Sequence, residues 1–394
     1  MQNQDTSILI IGAGLGGLAL AQGLVNAGFN VTVFEKDQSA TSRTQGYRIS
    51  IRSLGIAALT ALLTPDKVNR LSAAKVADVG DGFTCANENM EPLFSVPLGQ
   101  DAAIQFLRSE LRNLLLEDIK VAWNKQLVTF EEQDDHVVAH FEDGSSVGGD
   151  FLIGCDGGAS MVRKLLPSVY KSGLGSVPNI IDINRVALGG EIDRTPEWDT
   201  LLPLNTKGLV RYVGPNSHDL GVCFSERADR SPTVFWALTG QIEDRNAPWY
   251  QFDQGLAFCK PLLDHCKQIM SNESWHENLK KLVYSTPAES MMVPWLFRTT
   301  QFPDSNQFPM VPSGRVTLLG DSAHAMVPDR GLGGNNALED ARLLTSLLVC
   351  SPKPIDWQKL TAEYEEQMFA RAKKAVEDSY AAAEYFRNLR SAKK

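Results

Sequence analysis

SILIIGAGLGGLALAQGLVNAGFNVTVFEK, residues Ser7–Lys36, decides the fold. Ser7 to Ile11 is a short apolar run that predicts a strand, and Leu15 to Ala27 carries apolar residues at helical spacing. Between them Gly12, Gly14 and Gly17 fit G-x-G-x-x-G. Gly12 allows the sharp turn, Gly14 lets a pyrophosphate reach backbone N–H groups at the helix start, and Gly17 lets helix and strand pack closely. Gly28 closes the helix, and a second strand ends at Glu35. The unit is βαβ. Glu35 stands 18 residues after Gly17, where a carboxylate accepts hydrogen bonds from ribose hydroxyls and disfavours a 2′-phosphate. The expected ligand is therefore a dinucleotide that lacks that phosphate.

Composition narrows the class. The chain has 394 residues, 43% of them apolar, enough to bury a large core in two or three lobes. A net charge of -9 and the lack of a Lys/Arg-rich run oppose nucleic-acid binding. Six cysteines (Cys85, Cys155, Cys223, Cys259, Cys266, Cys350) form no CxxC and no regular framework, which points to buried thiols in a reducing compartment, the cytoplasm by default. MQNQDTSILIIGAG has no basic n-region, and no apolar run reaches the roughly 18 residues of a membrane span. His136 and His140 sit in an alternating strand, HVVAHF, with spacing that does not favour a metal pair; no metal is expected.

Two further glycine turns repeat the opening pattern. FLIGCDGGASMVRKLL, Phe151–Leu166, runs from an apolar strand through Asp156 into a helix that carries Arg163. Upstream, Asp143-Gly144 marks a hairpin. GDSAHAMVPDRGLGGNNALEDARLL, Gly320–Leu344, passes from a strand end through Gly331, Gly333 and Gly334 into an amphipathic helix. Three such turns at the carboxyl ends of three strands describe the ligand edge of an open α/β sheet.

In these motifs, their order and their spacing, the chain resembles the FAD-dependent monooxygenases of the single-component aromatic-hydroxylase type, and is similar to the tetracycline-inactivating flavoenzymes. The resemblance implies FAD, with Gly12, Gly14, Leu15 and Gly17 at its pyrophosphate, Glu35 and Lys36 at the adenosine ribose, and Arg43, Arg108 and Asp156 near the cofactor. It implies Asp321 at the ribityl or pyrophosphate region, and Pro328, Gly331, Gly333, Gly334, Asn335 and Asn336 around the isoalloxazine. Arg163 is implicated in transient nicotinamide binding, with a helix-surface cation as the plain alternative, and Arg112 competes with Arg108 from the same helix face. His324 reads as an interior histidine. Asp329-Arg330, and Leu332 where the family often has Gln, depart from the common pattern beside the ring.

The middle of the chain changes to alternating strands, LVRYVG, LGVCFSE and TVFWALTG, joined by Ala74 to Leu98. Phe224, Phe235, Trp236, Tyr212, Trp295 and Phe297 are candidates for an apolar pocket there. Asp182, Arg185, Glu191 and Arg211 are its polar candidates, and no catalytic acid or base is singled out. From Trp357 onward, Leu360, Tyr364, Met368, Ala372 and Ala375 predict one long amphipathic helix. The expected fold is α/β: a Rossmann-like FAD-binding domain (1–73, 99–170 and 286–350), a discontinuous antiparallel-sheet substrate domain (74–98 and 171–285), and a bracing helix (351–394). The expected activity is NADPH- or NADH-driven hydroxylation of an aromatic, polycyclic or similar electron-rich small molecule with O2, through a flavin C4a-hydroperoxide, by a monomer or homodimer. The alternatives are a flavin dehydrogenase without oxygen insertion and a non-catalytic carrier on the same fold. The absence of a second G-x-G-x-x-G implies that the nicotinamide binds only transiently.

Overall fold

The structure is a computed structural model, and it describes residues 3–42, 48–73, 75–76, 82–97, 103–227, 230–250, 255–303 and 307–391. Among the described residues, five parallel strands form the first sheet in the order Val316–Leu318, Phe151–Gly154, Ser7–Ile11, Asn30–Phe34, Val121–Ala122. Ile11 lies level with both Gly154 and Phe34, and Gly154 lies level with Leu318. The backbone stitches these ends together: Gly12 N–H donates to Phe34 at 2.7 Å, Cys155 N–H to Ile11 at 2.7 Å, and Leu319 N–H to Gly154 at 2.9 Å. All three glycine turns therefore leave one edge of one sheet. The predicted hairpin is also present, with Val137–Phe141 against Ser146–Gly149 and Gly144 in the left-handed region (φ 81°).

The second large sheet has seven strands, ordered Trp295–Gln301, Asn179–Asp193, Arg230–Gln241, Asp219–Arg227, Gly208–Val213, Gly82–Asn87, Pro92–Pro97. Of the segment 74–98 expected to join it, Gly82–Asn87 and Pro92–Pro97 do, whereas Lys75–Val76 pairs with Ile104–Leu107 in a separate sheet; Gly208–Val213 pairs with Gly82–Asn87 in parallel, so the sheet is mixed. Trp295–Gln301, placed by its sequence position with the nucleotide-binding part, is an edge strand of this sheet. The middle region, expected to be strands, also contains helices Cys259–Asn272 and Glu277–Tyr284. They cover one face of the sheet and bury Val210, Tyr212, Leu220, Val222, Trp236 and Leu238.

Strand periodicity assigns the alternate residues to the other face. Across neighbouring strands, Gly221 pairs with Ala237 and Ala237 with Gly189, while Cys223 pairs with Phe235 and Phe235 with Glu191. The centre of that face is a floor of small residues. A β-carbon at Gly221 would meet nothing nearer than the Ala237 carbonyl oxygen at 3.8 Å, so there is space above it.

Helix Trp357–Ser391 runs unbroken, and Leu360, Tyr364, Met368, Ala372 and Ala375 are all buried as their spacing predicts. Its first half is tied to the parallel sheet, with Tyr364 OH donating to the Leu318 carbonyl (3.1 Å) and Thr361 Oγ1 to the Gly314 carbonyl (2.7 Å). Its second half reaches the seven-stranded sheet, where Phe386 packs edge-on to Phe83.

Glu365 on this helix is fully buried and accepts hydrogen bonds from Met310 N–H (2.6 Å) and Thr317 Oγ1 (2.7 Å). Burial pushes its carboxyl up to about 8, against the pull of those two bonds. A carboxyl whose folded pKa exceeds its unfolded value stabilises the fold at acid pH; that contribution is lost as pH rises from near 4.5 through about 8. Glu365→Gln is expected to melt above wild type at pH 9, by on the order of 2 kcal/mol, and to lose that advantage at pH 5. Calorimetry across this range reads the difference; parallel stability curves for the two proteins would refute a neutral buried carboxyl.

Candidate functional site

The parallel sheet's carboxyl edge opens into a trough with two lobes. One, about 350 Å³, is lined by Gly12, Gly14, Glu35, Lys36, Arg108 and Asp156; the other, about 170 Å³, is lined by Leu15, Gly17, Ile49, Asp321 and Gly334. Gly14, Arg108, Cys155 and Gly157 border both lobes. The glycines divide into two kinds. A β-carbon at Gly12, where φ is 109°, would lie 2.5 Å from the Cys155 carbonyl oxygen, and one at Gly17 would lie 2.3 Å from that of Gly12. These two hold strand, turn and helix in contact. A β-carbon at Gly14 would meet nothing within 4 Å. Gly14 caps helix Leu15–Asn26 without a side-chain partner, so the free N–H groups of its first turn suit an anion in the trough.

The polar residues each have a defined place. Glu35 is buried and fixed by Ala13 N–H at 2.8 Å on Oε2 and Asp37 N–H at 3.1 Å on Oε1, which leaves lone pairs on both oxygens. Arg108 opens helix Arg108–Leu116 between the two lobes. Its competitor Arg112 also lines the first lobe, but it is buried and donates to the carbonyls of Ala13 and Ala40, both at 2.9 Å, so it braces the first glycine turn. Arg43 lies outside the described residues.

Asp156 caps the next helix through Oδ2, which accepts from Met161 N–H (2.6 Å) and Val162 N–H (3.2 Å). Its Oδ1 is shielded and has no hydrogen-bond partner among the described residues. Burial raises the pKa of Asp156, and its hydrogen bonds pull the other way. Arg163 is buried, with Nη1 on the Ser322 carbonyl (2.7 Å) and Nη2 on the Gly158 carbonyl (2.9 Å). It ties two glycine turns together rather than standing on the helix surface; a nicotinamide reaches its guanidinium only by opening those bonds.

Asp321 is open to the trough but enclosed by protein elsewhere. That enclosure pushes its carboxyl up, while His324, Arg108 and Arg298 pull it down. His324 is fully buried, with Nε2 2.6 Å from Asp340 Oδ2, confirming an interior histidine. Burial opposes its charge, but the charge and hydrogen bond of Asp340 outweigh burial and raise its pKa. Asp340 also accepts from Gly320 N–H at 2.9 Å and forms an ion pair with Arg371 of the C-terminal helix.

Pro328 opens a short 3-10 turn that ends at Gly331 (φ 62°), and helix Gly333–Cys350 follows. Asn335 and Asn336 turn inward. Asn335 donates to the Ser50 (2.9 Å) and Gly331 (2.8 Å) carbonyls and accepts from Arg52 N–H (2.7 Å), while Asn336 donates to the Leu332 carbonyl (3.0 Å) and accepts from Arg371 Nε (3.1 Å). These side chains shape the loop, leaving Gly334 and Asp321 to line the trough.

The unusual Asp329-Arg330 pair splits in two directions. Asp329 forms a 2.7 Å ion pair with Arg211 of the seven-stranded sheet, and Arg211 also holds Asp219 at 2.6 Å while lying 4.0 Å over the Phe386 ring. Arg330 turns away toward Asp378 of the C-terminal helix, at 3.6 Å. The loop beyond the trough thus faces the small-residue floor. At the opposite end of the same face, Arg48 of strand Arg48–Ile51 donates to the Phe224 carbonyl at 2.8 Å.

Three expected pocket residues lie on the wrong side of the sheet. Trp236 and Tyr212 are fully buried under the helices, bonded to Thr286 Oγ1 (2.9 Å) and Asn205 Oδ1 (2.7 Å). Phe224 packs toward that same core, whereas Phe235 shares the floor face and Phe297 lines a cleft beside Arg211 and Asp329. Asp182 pairs with Arg245, whereas Arg185, Glu191 and Arg211 all stand on the floor face; Arg185 lines the cleft beside Arg211 and Asp329 and donates to the Ser217 carbonyl at 3.2 Å. Among the described residues no cluster of three or more His, Cys, Asp or Glu is placed to hold a metal, and no helix is long and apolar enough to cross a membrane.

An anion-ready helix start, a cation between two lobes, an unpaired acceptor at Asp156 and an open carboxylate at Asp321 fit a molecule with a central pyrophosphate and many hydroxyl donors. The sequence pattern of the FAD binding domain family matches residues 5–379. The chain belongs to that family. FAD is its cofactor, and the FAD-dependent monooxygenases are its class. The FAD-dependent monooxygenase thnD of Trichoderma harzianum is 28% identical over 94% of this flavoprotein and 91% of its own length. A solved structure of an FAD-containing monooxygenase, described as putative, from Photorhabdus luminescens superposes with a TM-score of 0.76 at 27% identity, covering 96% of this chain and 98% of that one. The tetracycline destructase Tet(51), at 17% identity and a TM-score of 0.68 over 97% of this chain and 92% of its own, shares the fold.

Proposed function

We propose that this flavoprotein uses NADPH or NADH and O2 to hydroxylate an aromatic, polycyclic or similarly electron-rich small molecule held between the glycine loop and the small-residue floor. The observation that carries this reading is the continuity of the two regions: Gly334 lines the end of the trough, and Asp329, in the loop that leads to it, is bonded across to Arg211 on the floor face. Bound FAD supplies the hydride acceptor and the centre of oxygen activation. The first helix start and Arg108 hold its pyrophosphate, Glu35 and Lys36 its adenosine ribose, and Asp156 and Asp321 its hydroxyl-bearing linker.

Helix Gly333–Cys350 opens onto the trough at Gly334, where the positive end of its dipole would stabilise negative charge on a bound reduced ring by about 1 kcal/mol. Ala187, Gly189, Gly221 and Ala237 leave room for a flat substrate over the floor, and their apolar surface would exclude water from the reaction. Residues 1–73, 99–170 and 286–350 build the cofactor side apart from strand Trp295–Gln301, residues 74–98 and 171–285 build the substrate side, and the segment 351–394 braces the two. The nicotinamide binds transiently, and the protein works in the cytoplasm.

The test is incorporation of labelled oxygen. Purified protein given NADPH or NADH, labelled O2 and a panel of phenolic and polycyclic compounds is expected to oxidise the nicotinamide faster with a true substrate and to place one labelled atom in the product. Product without label would move the protein to the dehydrogenases. Asp321→Ala is expected to cut FAD occupancy at least roughly tenfold, since a buried-side carboxylate bonded to hydroxyls contributes on the order of 1.5–3 kcal/mol; unchanged flavin-to-protein ratio would remove Asp321 from its assigned place.

A further inference from the structure

The gap above the floor is bounded at one end by Arg211, whose guanidinium is already committed to Asp219 and Asp329. Arg48 bounds the other end and is not committed. Its Nη1 donates to the Phe224 carbonyl at 2.8 Å, while Nε and Nη2 are both shielded from solvent and have no partner among the described residues. These two donors share one edge of the planar guanidinium, the edge that engages a carboxylate through two parallel hydrogen bonds. A shielded, half-satisfied guanidinium is costly to keep unless something completes it.

Its position is that of a substrate contact. Arg48 and Ser50 lie on the same side of their strand, and Ser50 faces Gly331, since a β-carbon there would sit 3.6 Å from Ser50 Cβ. From this side Arg48 reaches the row Cys223, Phe235, Glu191 on the floor face. Both Arg48 and Glu191 act electrostatically on Cys223, in opposite senses, while burial raises its thiol. Glu191 does not complete the arginine; its carboxylate accepts from Thr233 Oγ1 at 2.5 Å.

We propose that Arg48 is the anion receptor of the substrate gap, binding the carboxylate of an aromatic substrate through Nε and Nη2 and so fixing which part of that substrate faces the flavin. This rests on the gap being the substrate site. Arg48 is a specificity residue and takes no part in the oxygen chemistry.

The test uses FAD-replete protein titrated with benzoate, 2-naphthoate and anthracene-2-carboxylate, each against its carboxamide, with calorimetry and the flavin absorbance change as readouts. At least one acid is expected to bind roughly 10- to 100-fold more tightly than its amide. That preference should fall to within about threefold in Arg48→Met and be partly retained in Arg48→Lys, which keeps the charge but not the fork. FAD content, measured on every variant, reports whether the fold and trough are intact. Acids and amides binding FAD-replete wild type alike, including no binding by either, overturn the proposal, as does a preference that survives in Arg48→Met. A wild-type protein that takes up no FAD would instead defeat the flavoenzyme reading on which it stands.

Discussion

Gly14→Val protein is expected to fold with a loss of no more than about 1 kcal/mol, since valine is a poorer N-cap than glycine, and to carry no FAD. The two results come from one geometry: Gly14 has extended backbone (φ -79°, ψ 179°) that valine adopts freely, and its β-carbon would point into space with no protein atom within 4 Å. That space is where a pyrophosphate must approach the first-turn N–H groups, and an isopropyl group there keeps it out of hydrogen-bonding range. The loss should be on the order of 100-fold or more in FAD affinity, about 3 kcal/mol. Gly12→Ala makes the contrast, because its β-carbon strikes backbone at 2.5 Å and the damage falls on the fold. Melting curves of FAD-stripped proteins and flavin-to-protein ratios after reconstitution separate the cases. A Gly14→Val protein that retains stoichiometric FAD would show that the cofactor does not lie against this turn.

Asp340→Asn is expected to be the most damaging single change to stability, costing about 3–5 kcal/mol. The Asp340 carboxylate is fully buried and faces only donors: Gly320 N–H, His324 Nε2 and Arg371. An amide presents its own N–H₂ to one of them and leaves the Arg371 charge without its counter-ion. Because Arg371 also donates to Asn336, and Gly320 precedes Asp321, the flavin loop should loosen and FAD retention fall with stability. Replacing Arg371 by Met in the same chain removes the stranded charge and should restore part of the loss, which denaturant melts of the single and double variants measure. Additive losses in the double variant would show that the two residues are not coupled.

Much of the cofactor side is legible in the sequence because it is written locally. The three glycine turns, the acid after the second strand and the apolar spacing of the C-terminal helix each reside within a few tens of residues, and backbone geometry constrains them tightly. The substrate side is written at long range. Alternation in VALGGE, LGVC and FWALT marks two faces of a strand, but only helices Cys259–Asn272 and Glu277–Tyr284 decide which face is covered, so Trp236 and Tyr212 could not be separated from Phe235 by pattern alone. Arg211 and Asp329 are 118 positions apart, and Arg48 and Phe224 are 176 apart. Charge type predicts neither pairing. Asp329-Arg330 stood out as unusual, and the reason is now structural: one residue anchors the loop to the sheet and the other to the C-terminal helix.

The path of the chain limits how such enzymes can be recombined. Its course runs from the parallel sheet into the seven-stranded sheet at 82–97, back for strands at 121–122 and 151–154, out again for 179–301, and home at 316–318. No single cut transfers a substrate-binding half from one relative to another. A chimera must import 82–97 and 179–301 as a matched pair and bring the donor's Phe386 neighbourhood with them, or the parallel seam at Gly208–Val213 and the aromatic seat of Arg211 will be mismatched. Natural diversification of substrate range in this architecture should accordingly proceed by point changes on the floor rather than by exchange of modules.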